Sequence, residues 1–311
     1  MNHVLIVGSM ALDTLETPFG SAQEIVGGAG VYASAAASFF SPVRLVGVVG
    51  DDYPSEALEA LRSRNVDLSG VQVVPGGRSF RWSGRYEYDM NSAQTLATDL
   101  GVFADFHPVL PPAYRAAQYV FLANITPSLQ LSVLDQITAP RFVMADTMNF
   151  WIESSRDGLL QVLGRVDMML LNDAELRQLT GTPNLVRASQ EVLAMGPRYV
   201  MVKKGEYGAT LVSSEFSINL PCYPLPDVVD PTGAGDSFAG GFIGYLARAG
   251  VTDEAHLRRA TAVATVMASR CVEAFGVAGL IATRPEDISH RYAALKSMVE
   301  LSALGASPIG P

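Results

Sequence analysis

Residues 230–243 read DPTGAGDSFAGGFI, and no other stretch of the chain carries as much information. Pro231 stops any preceding helix, and the small residues after it let backbone amides approach a ligand with no side chain in between. An apolar helical pattern follows directly, so these amides are expected at a helix N-terminus, where the helix dipole favours negative charge. The pattern therefore predicts an anion-binding cradle.

Asp236 is predicted to lie at the mouth of this cradle. A carboxylate there can accept the proton of an attacking alcohol, while the amides of residues 233–235 stabilise the charge on a transferring phosphoryl group. The alternative is a glycine-rich helix cap with an incidental Asp, which has to explain two glycines, an alanine and an aspartate at one helix start. The chain has no G-x-x-x-x-G-K-[ST] sequence, which excludes a P-loop mechanism.

Short β-branched runs alternate with helical periods along the chain. The runs read as strands buried on both faces, and the segments between them carry apolar residues at three-and-four spacing. This rhythm predicts βαβ units around a parallel sheet. The predicted strands are 4–7, 45–49, 119–122, 142–145, 168–171 and 199–202, and the predicted helices are 55–64, 128–136, 173–179 and 186–195.

Residues 80–89 break this rhythm, because apolar residues and a glycine alternate strictly with charged or polar ones. Period two is typical of a strand with one covered face and one solvated face. It predicts a small antiparallel sheet formed from about residues 12–26 and 79–102. That sheet is either an edge hairpin packed on the main body or a lid over a substrate. The aromatic residues of the segment are Phe80, Trp82, Tyr86 and Tyr88.

Composition limits the class of protein. The chain has 311 residues, 49% hydrophobic and 17% charged, which favours a single domain over residues 1–311. The net charge of -9, with no basic run, argues against nucleic acid as a partner. No segment reaches the roughly 18 apolar residues of a transmembrane helix. Cys222 and Cys271 lack disulfide or zinc spacing, so we expect a reducing, cytoplasmic setting.

Residues 230–243 match the C-terminal signature of one family position by position. On this stretch, and on motifs spread along the chain, the protein resembles the ribokinase (PfkB) family of ATP-dependent kinases. The resemblance implies an α/β fold: a ribokinase-like, doubly wound, mostly parallel sheet flanked by helices, with a small antiparallel β lid. It implies transfer of the ATP γ-phosphate to a hydroxymethyl group of a sugar or sugar-like molecule, with Mg²⁺. Asp236 would be the general base, and Gly233, Ala234 and Gly235 the anion hole.

Two N-terminal motifs resemble the substrate-binding motifs of this family. Residues 8–13 are similar to its first strand, which ends in a substrate-binding Asp, here Asp13. Residues 27–32 resemble its glycine motif, in which Gly27 and Gly28 would let the substrate lie against the backbone. Tyr32 stands where the family usually places a sugar-binding Asn, and from spacing alone these glycines could equally be a turn before an Ala-rich helix. Further substrate candidates by resemblance are Asn124, which ends a predicted strand, and Asn149, which lies in a D-x-x-N stretch beginning at Asp146.

Two further motifs resemble the nucleotide-binding motifs of the family. Asn172 and Glu175 match its N-x-x-E pattern, which acts on magnesium and phosphates, largely through water. An isolated N-x-x-E pair would read instead as a helix capping box. Residues 203–208 resemble its K-x-G-x-x-G motif, with Lys203, Gly205 and Gly208 near the nucleotide phosphates, although the same residues could form an ordinary hairpin turn.

The resemblance also implies a bound monovalent cation, potassium, at Asp230 and Thr232, with Gly276 in the region that completes the site. The expected partner is a small sugar or nucleoside, and a homodimer could form through the β lid. Two alternatives remain. A nucleoside kinase of the same family is favoured by Tyr32 and the aromatic strand, since aromatic rings can stack on a base. A non-catalytic binding protein that keeps the fold is the other.

Overall fold

The computed structural model describes residues 2–301, and a nine-stranded sheet forms its centre. The sheet order is β13-β12-β11-β10-β9-β8-β1-β4-β5. Strands β4, β5, β1, β8, β9, β10 and β11 pair in parallel, and β12 and β13 extend one edge in antiparallel fashion. These strands are β1 (Val4–Val7), β4 (Val43–Gly50), β5 (Val66–Val74), β8 (Tyr119–Leu122), β9 (Phe142–Asp146), β10 (Met168–Asn172), β11 (Tyr199–Lys203), β12 (Ala209–Val212) and β13 (Ser217–Leu220).

Both faces of this sheet are covered, because its side chains enter two separate apolar cores. In β1, Val4 and Ile6 belong to one core, while Leu5 and Val7 belong to the other. Parallel sheets are stable only when helices bury both faces, which is why these strands read as continuous apolar runs. The helices are α1 (Ala29–Ala37), α2 (Ser55–Arg62), α3 (Pro127–Leu134), α4 (Asn149–Ser154), α5 (Arg156–Leu163), α6 (Asp173–Thr180), α7 (Leu185–Leu193), α8 (Ala234–Ala249), α9 (Glu254–Cys271), α10 (Ala278–Ala282) and α11 (Pro285–Val299).

A second sheet of four strands has the order β3-β2-β6-β7. Its strands are β2 (Ala11–Thr17), β3 (Gly20–Gly27), β6 (Phe80–Tyr86) and β7 (Ala93–Asp99). The β2–β3 and β6–β7 pairs are hairpins and antiparallel, as expected. The central β2–β6 pair is parallel, an orientation open to these strands because no tight turn joins them. We call these four strands the lid sheet.

The fold class predicted from the sequence is confirmed. The four predicted crossover helices are present as α2, α3, α6 and α7, with ends shifted by no more than two residues. Since the parallel strands all run in the same direction, their carboxyl ends meet at one edge of the large sheet, where ligand sites of such folds lie. Asp146, Asn172 and Lys203 are the last residues of β9, β10 and β11.

Candidate active site

The start of α8 is where the sequence predicts an anion cradle, and free backbone amides lie there in the structure. Gly233 is the N-cap residue with a φ of 75°, and the helix begins at Ala234. The amide of Ala234 donates to the carbonyl of Pro231 at 3.2 Å. Among the hydrogen bonds of residues 2–301, none uses the amides of Gly233 or Gly235. These donors therefore remain free for an anion at the positive end of the helix dipole.

Tyr32 supports this cradle from below. A methyl group on Gly233 would come within 2.4 Å of the Tyr32 ring, so the ring lies directly against the backbone of the N-cap. Tyr32 is itself only 1% exposed. Position 233 therefore favours glycine for two reasons: its backbone is left-handed, and the Tyr32 ring leaves no room for a side chain.

A buried ion pair lies on the other side of the cradle. The Nζ of Lys203 donates to Asp146 Oδ2 at 2.6 Å, and both side chains are largely buried. The same Nζ would lie 3.1 Å from a methyl group on Gly235. Burial acts to lower the pKa of Lys203, but the charges of Asp146 and Glu175 outweigh it and the net shift is upward. Lys203 thus holds a fixed positive charge against the anion cradle.

Asp236 lies in the first turn of α8 and is partly buried. Burial, and then the negative charge of Asp146, raise the pKa of Asp236 to about 7, while Lys203 acts in the opposite direction. A carboxylate with a pKa near neutrality is well matched to accept a proton at physiological pH. The roles of general base for Asp236 and anion hole for the cradle stay predictions, and the geometry is consistent with both.

Asn172 and Glu175 form a reciprocal capping box. The Glu175 amide donates to Asn172 Oδ1 at 2.7 Å, and the Asn172 amide donates to Glu175 Oε2 at 2.7 Å. The capping alternative is therefore present in the structure. Capping need not be the only role of Glu175, whose side chain is buried at 9% exposure. Burial and the charge of Asp146 raise the pKa of Glu175, and the charge of Lys203 opposes that rise. The Glu175 carboxylate therefore interacts electrostatically with Lys203 and Asp146 beside the cradle.

The substrate candidates of the N-terminal motifs come together around Asp13. A methyl group on Gly27 would lie 1.9 Å from Asp13 Oδ2, so the carboxylate rests against that glycine. Burial raises the pKa of Asp13 to about 8, and the charges of Asp230 and Asp236 act in the same direction. The Gly28 amide partly opposes this rise in the pKa of Asp13 by donating a hydrogen bond to it.

Tyr53 is a neighbour of Asp13 that the sequence did not single out. It is 6% exposed, burial raises its pKa strongly, and the charge of Asp13 adds to that rise. The hydroxyls of Tyr32 and Tyr53 are both buried without a hydrogen-bond partner among the described residues. Buried polar atoms are normally paired, so two free phenols near one carboxylate indicate a place for a polar ligand. The sequence did carry one signal for Tyr53 as a site residue: it follows the carboxyl end of β4, where ligand sites of such folds lie.

The residues predicted for a monovalent cation are also adjacent. Asp230 is fully buried, with Oδ1 accepting from the Thr232 amide at 2.9 Å and Oδ2 accepting from the Gly276 amide at 3.0 Å. No salt bridge within residues 2–301 involves Asp230, and burial raises its pKa. Each carboxylate oxygen keeps a further lone pair. A buried carboxylate with no cationic side chain suits a small bound cation.

A cavity of about 490 Å³ opens beside the cradle. Lys203, Gly205 and Gly208 line it together with Gly235. A methyl group on Gly208 would lie 2.1 Å from the Leu220 carbonyl, so the 205–208 turn packs tightly on the neighbouring hairpin. Another part of the lining, the apolar wall, is formed by Leu225, Val228, Ala268 and Val272.

Other predicted residues are less clearly part of the site. Asn124 Oδ1 accepts a 3.0 Å hydrogen bond from the Trp151 indole, which occupies one of its acceptor positions. Asn149 begins α4 and is exposed, and its side chain makes no hydrogen bond to the other predicted residues among those described. Among the described residues, neither Asn124 nor Asn149 forms a hydrogen bond with Asp13.

The strand predicted by the period-two pattern of residues 80–89 is shorter in the structure, and Tyr88 lies outside it. Strand β6 ends at Tyr86, so the alternation no longer applies, and Tyr88 is 92% exposed in the following turn. Phe80 stacks on Phe103, with ring centroids 5.6 Å apart. Tyr86 does reach the site, because its hydroxyl accepts from Thr232 Oγ1 at 3.2 Å.

Membrane-spanning helices and clusters of metal-binding side chains are both absent from residues 2–301. No helix in that range has the length and apolar character needed to cross a membrane. In the same part of the chain, no group of three or more His, Cys, Asp or Glu side chains is arranged to bind a metal ion.

Comparison with known proteins agrees with the geometry. Residues 1–275 match the family model described as pfkB family carbohydrate kinase. A cytidine kinase from Thermococcus kodakarensis is 30% identical over 254 residues, which cover 80% of this chain and 90% of that protein.

Two solved structures share the fold. Aminoimidazole riboside kinase from Salmonella enterica, complexed with aminoimidazole riboside and an ATP analogue, has a TM-score of 0.74 and 22% identity over 94% of this chain and 100% of its own. Arabidopsis thaliana ribokinase complexed with ribose and ATP has a TM-score of 0.75 and 24% identity, over 94% and 99% of the two chains. With the family match over most of its length, the chain belongs to the pfkB family of carbohydrate kinases, which are ATP-dependent phosphotransferases.

Proposed function

We propose that this kinase transfers the γ-phosphate of ATP to the hydroxymethyl group of a sugar, either free or as part of a nucleoside, with Asp236 as the general base. One observation carries the proposal. Asp236, with a pKa raised to about 7, shares the first turn of α8 with the free amides of Gly233 and Gly235, and Lys203 lies against the same turn. A base, an anion hole and a fixed positive charge thus occupy one place.

The reaction follows from these positions. The oxygen of the acceptor hydroxyl forms a bond to the γ-phosphorus, and Asp236 accepts the proton of that hydroxyl. The bond from the γ-phosphorus to the bridging oxygen of ADP breaks at the same time. The amides of Gly233 and Gly235 stabilise the charge on the transferred phosphoryl group. The protonated Asp236 then releases its proton to solvent, which restores the carboxylate for the next turnover.

The cavity beside the cradle is the proposed nucleotide site. It has the size of a small-molecule site, and its polar end contains Lys203 and Gly235. Phosphates at that end would meet the positive charge of Lys203 and the free amides, while the adenine would contact the apolar wall near Val228 and Ala268. The cavity therefore supports a nucleotide with its phosphates directed at Asp236.

Magnesium and potassium fit this arrangement in different ways. When bound, Mg²⁺ would neutralise phosphate charge, and Glu175 is the residue proposed to hold it through water. Asp230, buried without a cationic side chain, is the residue proposed to hold potassium beside Thr232 and Gly276. Comparing initial rates in potassium chloride and in tetramethylammonium chloride tests the potassium proposal, because the second cation is too large for such a site.

A nucleoside is the favoured acceptor. Asp13 and the unpaired hydroxyls of Tyr32 and Tyr53 offer one carboxylate and two phenols, which suits a pentose flanked by an aromatic base better than a free sugar that needs many polar partners. The similarity to a cytidine kinase and to an aminoimidazole riboside kinase supports the same choice. We expect free ribose to have a kcat/KM at least about 10²-fold below that of the best nucleoside.

An acceptor panel tests the proposal. ADP formation would be measured with cytidine, uridine, inosine, adenosine, ribose, fructose and 2-keto-3-deoxygluconate, each with ATP and magnesium, using Asp236→Asn as the control for background hydrolysis. Turnover with a nucleoside that depends on Asp236 supports the proposal. Ribose or another free sugar as the best acceptor would overturn the nucleoside choice and leave the kinase assignment intact.

A further inference from the structure

The turn between β6 and β7 reaches the cavity proposed for the nucleotide. Residues 89–91 line this cavity together with Lys203 and Gly205. They connect β6 to β7 of the lid sheet, which the sequence associates with the acceptor. The turn therefore extends beyond the acceptor site and completes the wall of a second site.

Asn91 makes the contact between this turn and the main body. Its Oδ1 would lie 2.7 Å from a methyl group on Gly205, so the Asn91 side chain rests directly on the backbone of the 205–208 turn. The shape of the hairpin turn is supported from within. Asp89 Oδ1 accepts from the Asn91 amide at 3.2 Å, and the Met90 amide donates to the Glu87 carbonyl at 3.0 Å.

A second contact anchors the same hairpin to the cradle. The hydroxyl of Tyr86, the last residue of β6, accepts from Thr232 Oγ1 at 3.2 Å. The hairpin is thus attached at Thr232, next to the anion cradle, and at Gly205, at the edge of the nucleotide cavity. Residues 89–91, which line that cavity, therefore lie in a turn that borders both the cavity and solvent.

The chemistry of this wall indicates which part of a nucleotide it would face. Asp89 and Glu206 line the cavity close to Asn91, and two carboxylates would repel phosphate but accept hydrogen bonds from hydroxyl groups. Phosphates are better placed at Lys203 and Gly235, and an adenine at the apolar wall. The ribose joins these two parts and carries neutral hydroxyl groups that a carboxamide can bind.

We propose that Asn91 binds the ribose hydroxyls of the nucleotide, which makes the lid turn a part of the nucleotide site. This inference rests on the proposed function, because it takes the cavity as the ATP site. Since β6 pairs with β2, where Asp13 lies opposite Trp82, a nucleotide that holds the turn also holds the strand that carries Asp13.

Calorimetric titration without acceptor tests the proposal. Binding of Mg·ATP and of Mg·2′,3′-dideoxy-ATP would be measured for the unmodified protein, for Asn91→Ala and for Tyr88→Ala. Tyr88 is the matched control, because it lies in the same turn, is 92% exposed and does not line the cavity. Melting temperatures of the three proteins would establish that each is folded.

We expect Asn91→Ala to weaken ATP binding by about three- to tenfold, the value of one or two neutral hydrogen bonds. Binding of the dideoxy nucleotide should be unchanged, and Tyr88→Ala should bind both nucleotides normally. An Asn91→Ala protein that binds ATP as well as the unmodified protein, or that loses affinity for both nucleotides equally, would overturn the inference. If the unmodified protein did not bind ATP at all, the proposed function itself would fail, which is a distinguishable result.

Discussion

Lys203 and Asp146 form an ion pair that crosses the end of a strand lying between them. Asp146 is the last residue of β9 and Lys203 is the last residue of β11, and β10 separates the two strands. The Nζ to Oδ2 distance is 2.6 Å. Because the pair is buried, removing one partner leaves an uncompensated charge. The position of Lys203 against Gly235 gives this pair a direct effect on the electrostatics of the cradle and of Asp236.

Asp236→Asn should lower kcat by about 10² to 10⁴, the usual contribution of a positioned general base, with little change in ATP binding. The measurements are steady-state kinetics with the best acceptor and calorimetric titration with ATP. An unchanged kcat would remove Asp236 from the proposed role. A loss of ATP binding equal to the loss of activity would instead indicate that the substitution damages the cradle.

The pH dependence of the reaction should reflect the raised pKa of Asp236. A general base works in its deprotonated form, so kcat/KM for the acceptor should rise as the pH increases through about 7. Asp146→Asn removes a negative charge that raises the pKa of Asp236, and the rising limb should then move to lower pH.

The pH-rate profiles of the unmodified protein and of Asp146→Asn provide the measurement. Asp173→Asn is the matched control, because Asp173 begins α6 at the same sheet edge and pairs with Arg177 on the protein surface. Its profile should match that of the unmodified protein. A limb that stays in place in Asp146→Asn would contradict the electrostatic link between Asp146 and Asp236.

Glu175→Gln separates the capping role of Glu175 from its proposed role toward magnesium. The Gln side chain can still accept from the Asn172 amide, since Gln serves in capping boxes, so the melting temperature should stay close to that of the unmodified protein. The lost negative charge should raise the magnesium concentration needed for half-maximal rate and lower kcat. If the magnesium dependence is unchanged, Glu175 is a helix cap and nothing more.

Gly233→Ala should destabilise the protein by more than the backbone conformation alone explains. A left-handed φ costs an alanine about 1 to 2 kcal/mol, and the contact with the Tyr32 ring adds an overpacking term of about 1 to 3 kcal/mol. Gly181→Ala is the matched control, because Gly181 has a φ of 70° and open space around its Cα. Chemical denaturation of both variants measures the difference. Equal losses of unfolding free energy would show that the Tyr32 ring moves aside at little cost.

Tyr32→Phe tests whether the buried hydroxyl of Tyr32 serves the acceptor. That hydroxyl has no partner among the described residues, so its removal should leave the free energy of unfolding unchanged or raise it by about 1 kcal/mol. The KM for the acceptor should rise about three- to tenfold, the value of one hydrogen bond. A variant with normal acceptor kinetics would assign Tyr32 to support of Gly233 alone.

Local patterns predicted much of this molecule. Apolar runs and three-and-four spacings reflect the burial and the period of a single strand or helix. β1, β9, β10 and α6 could therefore be predicted without knowing which elements pack against them. The cradle at Gly233 and the Asp at position 236 were also local, because a helix N-terminus and its first turn lie within a few residues of sequence. The N-x-x-E pair shows the limit of such reading, since capping and ligand binding use the same two residues.

By itself, then, the sequence determined the fold class and the helix start at which free backbone amides and Asp236 lie together, since these depend on local patterns and on residues close together in the chain. Only the tertiary structure decided the pairing of Lys203 with Asp146, the contact of Tyr32 with Gly233, the parallel β2–β6 pair and the approach of Asn91 to Gly205. These partners are separated by 57, 201 or 114 positions in the three residue contacts, counted from their numbers in the sequence. No periodicity links such distant positions, because their meeting depends on how whole strands and helices pack.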